Sequence, residues 1–194
     1  MNHLKNLKSQ ILASIIVFTL FFSQYSFTQD TSETTPKRGN TQIIGDVILF
    51  TLPAATLGTS FIIGDDKGAW QFTKGLILTE AVTYGLKLGI NKPRPDRSND
   101  NSFPSGHTST TFHSAGYIHR RYGFKYSIPA YALAGFTAAS RIDSEKHDIL
   151  DILAGAAIGL GSNLLFTTPY QQEHMELTFN KSDGNYLLGF NYKF

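Results

Sequence analysis

The sequence predicts an all-α protein: a bundle of about five core helices followed by a short C-terminal β-hairpin. Apolar residues recur at helical spacing in five segments, turn-rich stretches separate these segments, and only the C-terminal end favours strands. At 194 residues, the chain has the length of one domain with a sizeable core. The helices are predicted over residues 42–63, 69–89, 106–121, 127–139 and 146–166.

Residues 1–28 are typical of a targeting segment. Lys5 and Lys8 precede an apolar run over residues 11–22, which is too short to cross a bilayer core of roughly 30 Å. Two interpretations are open, a cleaved signal peptide and a retained N-terminal anchor, and both imply export to the bacterial cell envelope. Residues 29–40 are polar and indicate a flexible leader before a domain over 41–170.

The charge balance and the absence of cysteine exclude several classes of function. Removal of residues 1–28 takes away two lysines and no acids, so 15 basic residues (17 minus 2) face 15 acidic ones. A neutral chain without basic runs argues against a nucleic-acid partner. With no cysteine, disulfides, thiolate metal sites and cysteine nucleophiles are excluded. The sequence carries no signature of a particular oligomeric state.

The C-terminal segment, residues 171–194, predicts the hairpin. Residues 175–180 and 186–194 are rich in strand-forming types, and residues 181–185 have turn chemistry. The hairpin either packs on the bundle or resembles an outer-membrane strand pair. A single hairpin cannot close a barrel, which favours packing.

Two of the predicted helices, residues 42–63 and 149–166, are apolar enough to cross a membrane. Lys74 and Glu80 interrupt the second helix, polar side chains fill the third, and the fourth is predicted at about 13 residues, too short to cross. The basic residues near 120–125 allow a topology with that end in the cytoplasm and the site outside. We expect a periplasmic domain that is membrane-associated, with an integral protein as the alternative.

The first cluster of candidate functional residues runs from Lys87 to Pro95. Arg94 stands between two prolines, which stiffen the backbone and fix the guanidinium for bidentate contact with an oxyanion. Taken alone, basic residues after a helix are more often solvated groups at its C-terminus.

The second cluster is Ser105-Gly106-His107 at the start of the third helix. There the free peptide N–H groups, the Ser105 hydroxyl and the closely approaching Gly106 backbone would bind an anion, with His107 in reach. The simpler interpretation is an N-cap with a surface histidine.

The third cluster places Arg141, His147 and Asp151 in one segment. Asp151 follows His147 by four positions, which puts both on one face of a helix, where the carboxylate orients the imidazole for nucleophilic attack. The alternative is a surface ion pair, but Asp151 opens an apolar run in which an unpaired carboxylate would be costly.

Together the three clusters match the pattern KX6RP, PSGH, SRX5HX3D at every position between Lys87 and Asp151. In this the chain resembles the type 2 phosphatidic acid phosphatase (PAP2) superfamily, which includes lipid phosphatases, class A acid phosphatases and vanadium haloperoxidases. The resemblance implies a phosphatase without a metal or other cofactor. It also implies a cationic clamp on the phosphoryl group and three reacting residues. The clamp comprises Lys87, Arg94, Ser105, Gly106 and Arg141, and the reacting residues are His147 as nucleophile, Asp151 as its orienting partner and His107 as proton donor.

The resemblance implies hydrolysis of phosphate monoesters or pyrophosphates, with a lipid phosphate as the leading substrate class. The alternatives are a broad-specificity soluble periplasmic acid phosphatase, a haloperoxidase and a non-catalytic phosphate or lipid binder. Only eight residues separate Pro95 from Pro104, which is short beside the class A acid phosphatases.

Overall fold

The computed structural model describes residues 39–170, 175–182 and 185–192. It confirms the predicted bundle of five helices and the C-terminal hairpin. The signal segment and nearly all of the leader lie outside the described residues, although Asn40, assigned to the leader, is the first residue of a helix. The elements are α1 (Asn40–Ile62), α2 (Asp66–Ile90), α3 (Gly106–Tyr122), α4 (Phe124–Asp143), α5 (Ile149–Phe166), β1 (Met175–Ser182) and β2 (Asn185–Tyr192).

The two strands pair antiparallel, with Met175 opposite Tyr192 and Ser182 opposite Asn185. They extend further into the predicted turn than expected, since residues 181, 182 and 185 already belong to strands. The hairpin is the one departure from helical structure among the described elements.

Helix α3 is the centre of the bundle, because it packs against each of the other four helices. Its interior face is rich in hydroxyl groups, and these are satisfied by the helix itself. Thr110 donates to the carbonyl oxygen of Gly106 at 2.9 Å, and Ser114 donates to that of Thr110 at 3.1 Å. Such bonds to the preceding turn let polar side chains fill a core without unpaired groups.

Helix α4 is longer than the sequence predicted. It runs for 20 residues rather than about 13, and it includes Pro129. It begins directly after Gly123, whose φ of 106° reverses the chain between α3 and α4 without a longer loop. The argument that this helix is too short to cross a membrane was therefore wrong.

By length and composition together, α1 and α5 are the described helices that could cross a membrane. Their most apolar windows are only 44% and 33% buried, so most of these apolar surfaces face away from the protein. This confirms the sequence-based choice of the same two segments.

An ion pair closes one end of the bundle. Asp65 caps the start of α2 by accepting from the Gly68 N–H at 2.9 Å, and it accepts from Arg121 Nε at 2.7 Å and Nη2 at 2.6 Å. Arg121 also donates to the carbonyl oxygen of Thr168 at 2.8 Å, just after α5. The start of α2, the end of α3 and the end of α5 are thereby joined, which leaves the candidate site at the opposite ends of these helices.

Glycines allow α5 to pack closely on α3. A Cβ on Gly159 would lie 2.2 Å from the carbonyl oxygen of Ser109 and 2.7 Å from the His113 nitrogen, both backbone atoms. A Cβ on Gly155 would lie 2.5 Å from the carbonyl oxygen of Ser105. Because backbone cannot move aside as a flexible side chain can, these two positions set the distance between the helices.

We predict that Gly159→Ala destabilises the protein by about 1–3 kcal/mol, because the added methyl group forces α5 away from α3. Thermal unfolding in detergent measures the effect. Gly161→Ala is the matched control on the same helix, since its Cβ would meet nothing within 4 Å. Equal midpoints for the two variants would show that the glycine contact does not set the spacing.

Candidate active site

The structure gathers the eight predicted residues at one end of the bundle. Lys87 comes from the end of α2, Ser105 to His107 from the start of α3, and Arg141 from the end of α4. Arg94 and His147 lie in the connecting loops, and Asp151 lies in the first turn of α5. Electrostatic interactions link His147 to Lys87, Arg94 and His107, and link Arg94 to Arg141.

Ser105 is the N-cap of α3, as predicted. Its Oγ accepts from the Thr108 hydroxyl at 3.0 Å and, through a long bond of 3.5 Å, from the Thr108 N–H. Its own N–H donates to the carbonyl oxygen of Asp151 at 2.9 Å. The turn that begins α3 is thus attached to the first turn of α5, and the Ser105 hydroxyl hydrogen can still be donated to a ligand.

Lys87 and Arg94 are the two cations on the α2 side of the site. Lys87 Nζ donates to the carbonyl oxygens of Asn101 at 2.8 Å and Pro104 at 2.6 Å, and so holds the loop that leads into α3. Arg94 Nε is buried and has no hydrogen-bond partner within the described part of the chain. A buried guanidinium N–H without a partner is costly, and a bound anion would supply the missing acceptor.

Arg141 is almost fully buried where α4 meets α1. Its Nη1 donates to Asp46 Oδ1 at 2.9 Å, its Nη2 to the carbonyl oxygen of Gln42 at 2.8 Å, and its Nε to Ser140 Oγ at 3.2 Å. Gly45 permits this contact, because a Cβ there would lie 2.9 Å from Arg141 Nη2 and 2.2 Å from Ser140 Oγ.

His147 faces Asp151, but not by the predicted route. The helix was expected to begin at residue 146, with both side chains on one helical face. Instead α5 begins at Ile149 after the N-cap Asp148, so His147 lies in the preceding loop. Asp148 and Asp151 form a capping box, and that turn brings Asp151 Oδ2 within 3.5 Å of His147 Nδ1. The contact is an ion-pair distance that falls short of hydrogen-bond geometry.

Asp151 is fully buried and is held by three donors. Lys92 Nζ donates to its Oδ1 at 2.8 Å, while the Ser102 hydroxyl at 2.5 Å and the Asp148 N–H at 3.1 Å donate to its Oδ2. Lys92 also contacts Asp148 at 2.5 Å. The sequence analysis did not include Lys92 or Ser102 in the site. A buried carboxylate needs such donors, but their identity depends on how the loop over 91–104 folds.

His107 is paired with an acid that the sequence analysis also missed. Its Nε2 lies 2.9 Å from Oδ1 of Asp46, the same oxygen that accepts from Arg141. The available signal was an aspartate within the apolar first helix, where a carboxylate requires a partner.

The two other histidines of α3 are structural: His113 is buried against Ser162 and the carbonyl oxygen of Phe72, and His119 contacts Tyr131.

The surroundings of His147 favour its neutral form. Burial is the largest cause, and the positive charges of Lys87 and Arg94 add to it, so the pKa of His147 lies well below its usual range. Asp151 opposes this effect without reversing it. A neutral imidazole with a free ring nitrogen is the form that can act as a nucleophile.

Among the described residues, no group of three or more histidines or acids is placed to hold a metal ion. The acids of the site are instead paired with cations: Asp151 with Lys92, and Asp46 with Arg141. The arrangement can bind an anion between Lys87, Arg94 and Arg141 while presenting the His147 ring to it.

Comparisons with known proteins show the family of this chain. A family model described as the PAP2 superfamily matches residues 68–174. The chain is 33% identical over 167 residues to the lipid A 4'-phosphatase of Helicobacter pylori strain J99. The matched region covers 77% of this chain and 83% of that relative. It is 39% identical over 89 residues to the lipid A 1-phosphatase of Porphyromonas gingivalis. This matched region covers 44% of the chain and 20% of that longer relative.

One solved structure shares the fold. The crystal structure of Aquifex aeolicus LpxE superposes with a TM-score of 0.52 at 21% sequence identity, over 64% of this chain and 90% of that chain. At that identity the likeness concerns the fold.

We predict that the His147 imidazole stays neutral at pH 5, because its pKa is lowered from the usual value of about 6.5. Protonation would therefore begin only in more acidic solution. A ¹⁵N NMR titration of histidine-labelled protein measures this, with His147→Gln used to assign the signal. Half-protonation near pH 6.5 would contradict the proposed surroundings of the ring.

Proposed function

The chain belongs to the PAP2 superfamily and is a hydrolase of the PAP2 phosphatase type; from this premise we propose that it removes phosphate from a lipid through a phosphohistidine on His147. The observation that carries the proposal is the buried His147–Asp151 pair beside three cations, one of which has a buried N–H without a partner in the described chain. A nucleophile and an anion clamp thus share one end of the bundle.

The clamp binds the phosphoryl oxygens in this proposal. Lys87, Arg94 and Arg141 supply fixed positive charge, and the Ser105 hydroxyl and the Gly106 N–H at the start of α3 add hydrogen bonds. These groups also stabilise the negative charge that is spread over the phosphoryl oxygens in the transition state. In this proposal the three cations, of which Lys87 and Arg141 are held by hydrogen bonds to the protein, perform the electrostatic work without a metal ion.

The reaction then has two displacements. Nε2 of His147 attacks phosphorus, the bond from phosphorus to the ester oxygen breaks, and His107 gives a proton to the departing oxygen. Water next attacks the phosphohistidine, loses a proton to His107, and releases inorganic phosphate as the phosphorus–nitrogen bond breaks. Asp151 keeps the His147 ring oriented through Nδ1 in both steps.

The outer surface supports a lipid as the substrate class. Large apolar side chains are exposed along α1 and α5, including Val47 at 52%, Leu153 at 60% and Leu164 at 66%. Exposed apolar side chains on helices of this length and hydropathy favour contact with lipid over contact with water. It supports membrane association, and it argues against the alternative of a soluble acid phosphatase.

The relatives suggest which lipid phosphates to examine first. Their names specify the 4'- and 1-phosphates of lipid A. We propose a lipid phosphate of the cell envelope, with a phosphorylated glycolipid of the lipid A type as the leading candidate and the active site on the periplasmic side. The targeting segment predicted at residues 1–28 agrees with that location.

We predict that His147→Ala lowers kcat by about three orders of magnitude or more on a chromogenic phosphate ester, because it removes the attacking atom. Excess EDTA should leave wild-type activity intact, and vanadate should inhibit it as an analogue of the pentacoordinate transition state. His119→Ala is the matched control, since this histidine on α3 is exposed and contacts Tyr131. Persistent turnover by His147→Ala would refute the assignment.

We also predict a preference for lipid phosphates in detergent over nucleotides and sugar phosphates, expressed as kcat/KM. The apolar surfaces of α1 and α5 present the site to substrates held in the same micelle. Release of inorganic phosphate from both substrate sets, at equal enzyme and detergent concentrations, measures the ratio. A higher kcat/KM for soluble phosphates would favour the broad-specificity acid phosphatase.

A further inference from the structure

Asp46 of α1 joins two residues of the candidate site, although it lies far outside the motif-bearing segment. One oxygen atom, Oδ1, lies 2.9 Å from His107 Nε2 and accepts from Arg141 Nη1 at 2.9 Å. The Asp46 side chain is 22% exposed and that of His107 19%, so both are partly accessible to solvent.

The backbone of α1 holds this carboxylate in place. Gly45, its neighbour in sequence, packs against Ser140 and Arg141 so closely that a Cβ would overlap both. One turn earlier, the carbonyl oxygen of Gln42 accepts from Arg141 Nη2 at 2.8 Å. Helix α1 therefore approaches α4 most closely at the point where Asp46 meets Arg141 and His107, and the contact does not depend on a flexible side chain alone.

The pairing resembles that of the nucleophile, with the ring nitrogens exchanged. Asp151 faces Nδ1 of His147 and leaves Nε2 for attack. Asp46 faces Nε2 of His107, and in the proposed reaction Nδ1 of that ring is the nitrogen that faces the substrate. A carboxylate on one ring nitrogen selects the tautomer and stabilises the imidazolium, as an orienting acid does for a catalytic histidine.

The His147 and His107 rings differ in the charged groups that surround them. His147 is surrounded by Lys87 and Arg94, which favour the neutral ring needed for attack. His107 is faced by Asp46 from α1, by Arg141 from α4 and by Arg94 from the loop before α3. Burial is the largest influence on His107 and lowers its pKa to about 4, and the Asp46 carboxylate opposes this effect, so it favours the protonated ring that can give a proton to the leaving oxygen.

We propose that Asp46 is a positioning residue for the proton transfer: it holds His107 with Nδ1 toward the leaving oxygen and stabilises the protonated ring that gives up its proton as the ester bond breaks. This role rests on the proposed function. The role gives α1 a part in catalysis, although α1 lies outside the matched motif. Asp46 also holds Arg141 of the clamp, which donates to its Oδ1.

Two phosphate esters with different leaving groups test the role. An aryl phosphate such as p-nitrophenyl phosphate expels a stabilised anion and needs little protonation, whereas an alkyl phosphate such as a short-chain phosphatidate needs a proton donor. Since general acid catalysis is worth about 10²–10⁴-fold, Asp46→Asn should lower kcat/KM for the alkyl ester at least about tenfold more than for the aryl ester. Asp46→Glu, which keeps the charge, should recover part of that difference.

Asp143→Asn is the matched control. Asp143 also joins α4 to α1, by accepting from the Thr41 hydroxyl at 2.5 Å, but it is exposed and does not contact His107 or Arg141 in the described contacts. For the Asp143→Asn variant, the ratio of kcat/KM for the alkyl ester to kcat/KM for the aryl ester should equal that of wild type. In a His107→Ala background, Asp46→Asn should change the ratio no further, because the proton donor is already absent.

The outcomes separate the two proposals. Equal losses on both esters in Asp46→Asn, or a further change of the ratio in the His107→Ala background, would overturn the role of Asp46 and leave the phosphatase intact. Release of no phosphate from either ester by wild type would overturn the proposed function and this role with it. A selective loss on the alkyl ester that disappears without His107 would support the role.

Discussion

The site depends on a single buried carboxylate, that of Asp151. A fully buried charge is tolerated only when donors satisfy it, and here they come from separate parts of the chain: Lys92 and Ser102 before α3, and the Asp148 N–H at the start of α5. The backbone of the same residue accepts from the Ser105 N–H. In the proposed mechanism Asp151 positions the His147 ring, and its backbone attaches the turn that begins α3 to α5.

The bundle around this carboxylate has an unusual distribution of polarity. Beside two apolar clusters, the interior holds many hydroxyl groups, His113 and a buried pair of Asp65 and Arg121, while leucine, isoleucine and valine side chains cover much of the outside. Helices with a polar interior surface and an apolar outer surface suit a lipid environment, where the usual gain from burying apolar side chains is absent. Close approach at Gly155 and Gly159 replaces that gain with backbone packing between α3 and α5.

Much of the site was predictable from the sequence because its chemistry lies in short segments with fixed spacing. Lys87, the turn at Ser105 and the pair of His147 and Asp151 could be named because the three segments together match the PAP2 pattern, and the structure brings them to one end of the bundle. The geometry of the pair was not predictable in detail. A spacing of four indicated a shared helical face, whereas the capping box of Asp148 and Asp151 starts the helix after His147, and that turn brings the two side chains together.

The missed residues share a different property, which is a long separation along the chain. Asp46 is 61 residues from His107 and 95 from Arg141, and Ser102 is 49 from Asp151. No local pattern encodes such contacts, because they arise only when α1 packs on α4 and when the loop before α3 folds back on α5. The length of α4 was missed for a related reason, since its boundary depends on one glycine at positive φ rather than on a run of turn residues.

The central claim is that His147 carries the phosphoryl group during turnover. The most direct measurement is to mix enzyme with a ³²P-labelled phosphate ester, quench in alkali, where phosphohistidine survives, and locate the label by peptide mass spectrometry. The account predicts label on the peptide that contains His147, lost in His147→Ala and formed at the rate of turnover. Steady turnover with no label on His147, or label on another residue such as Ser105, would contradict it.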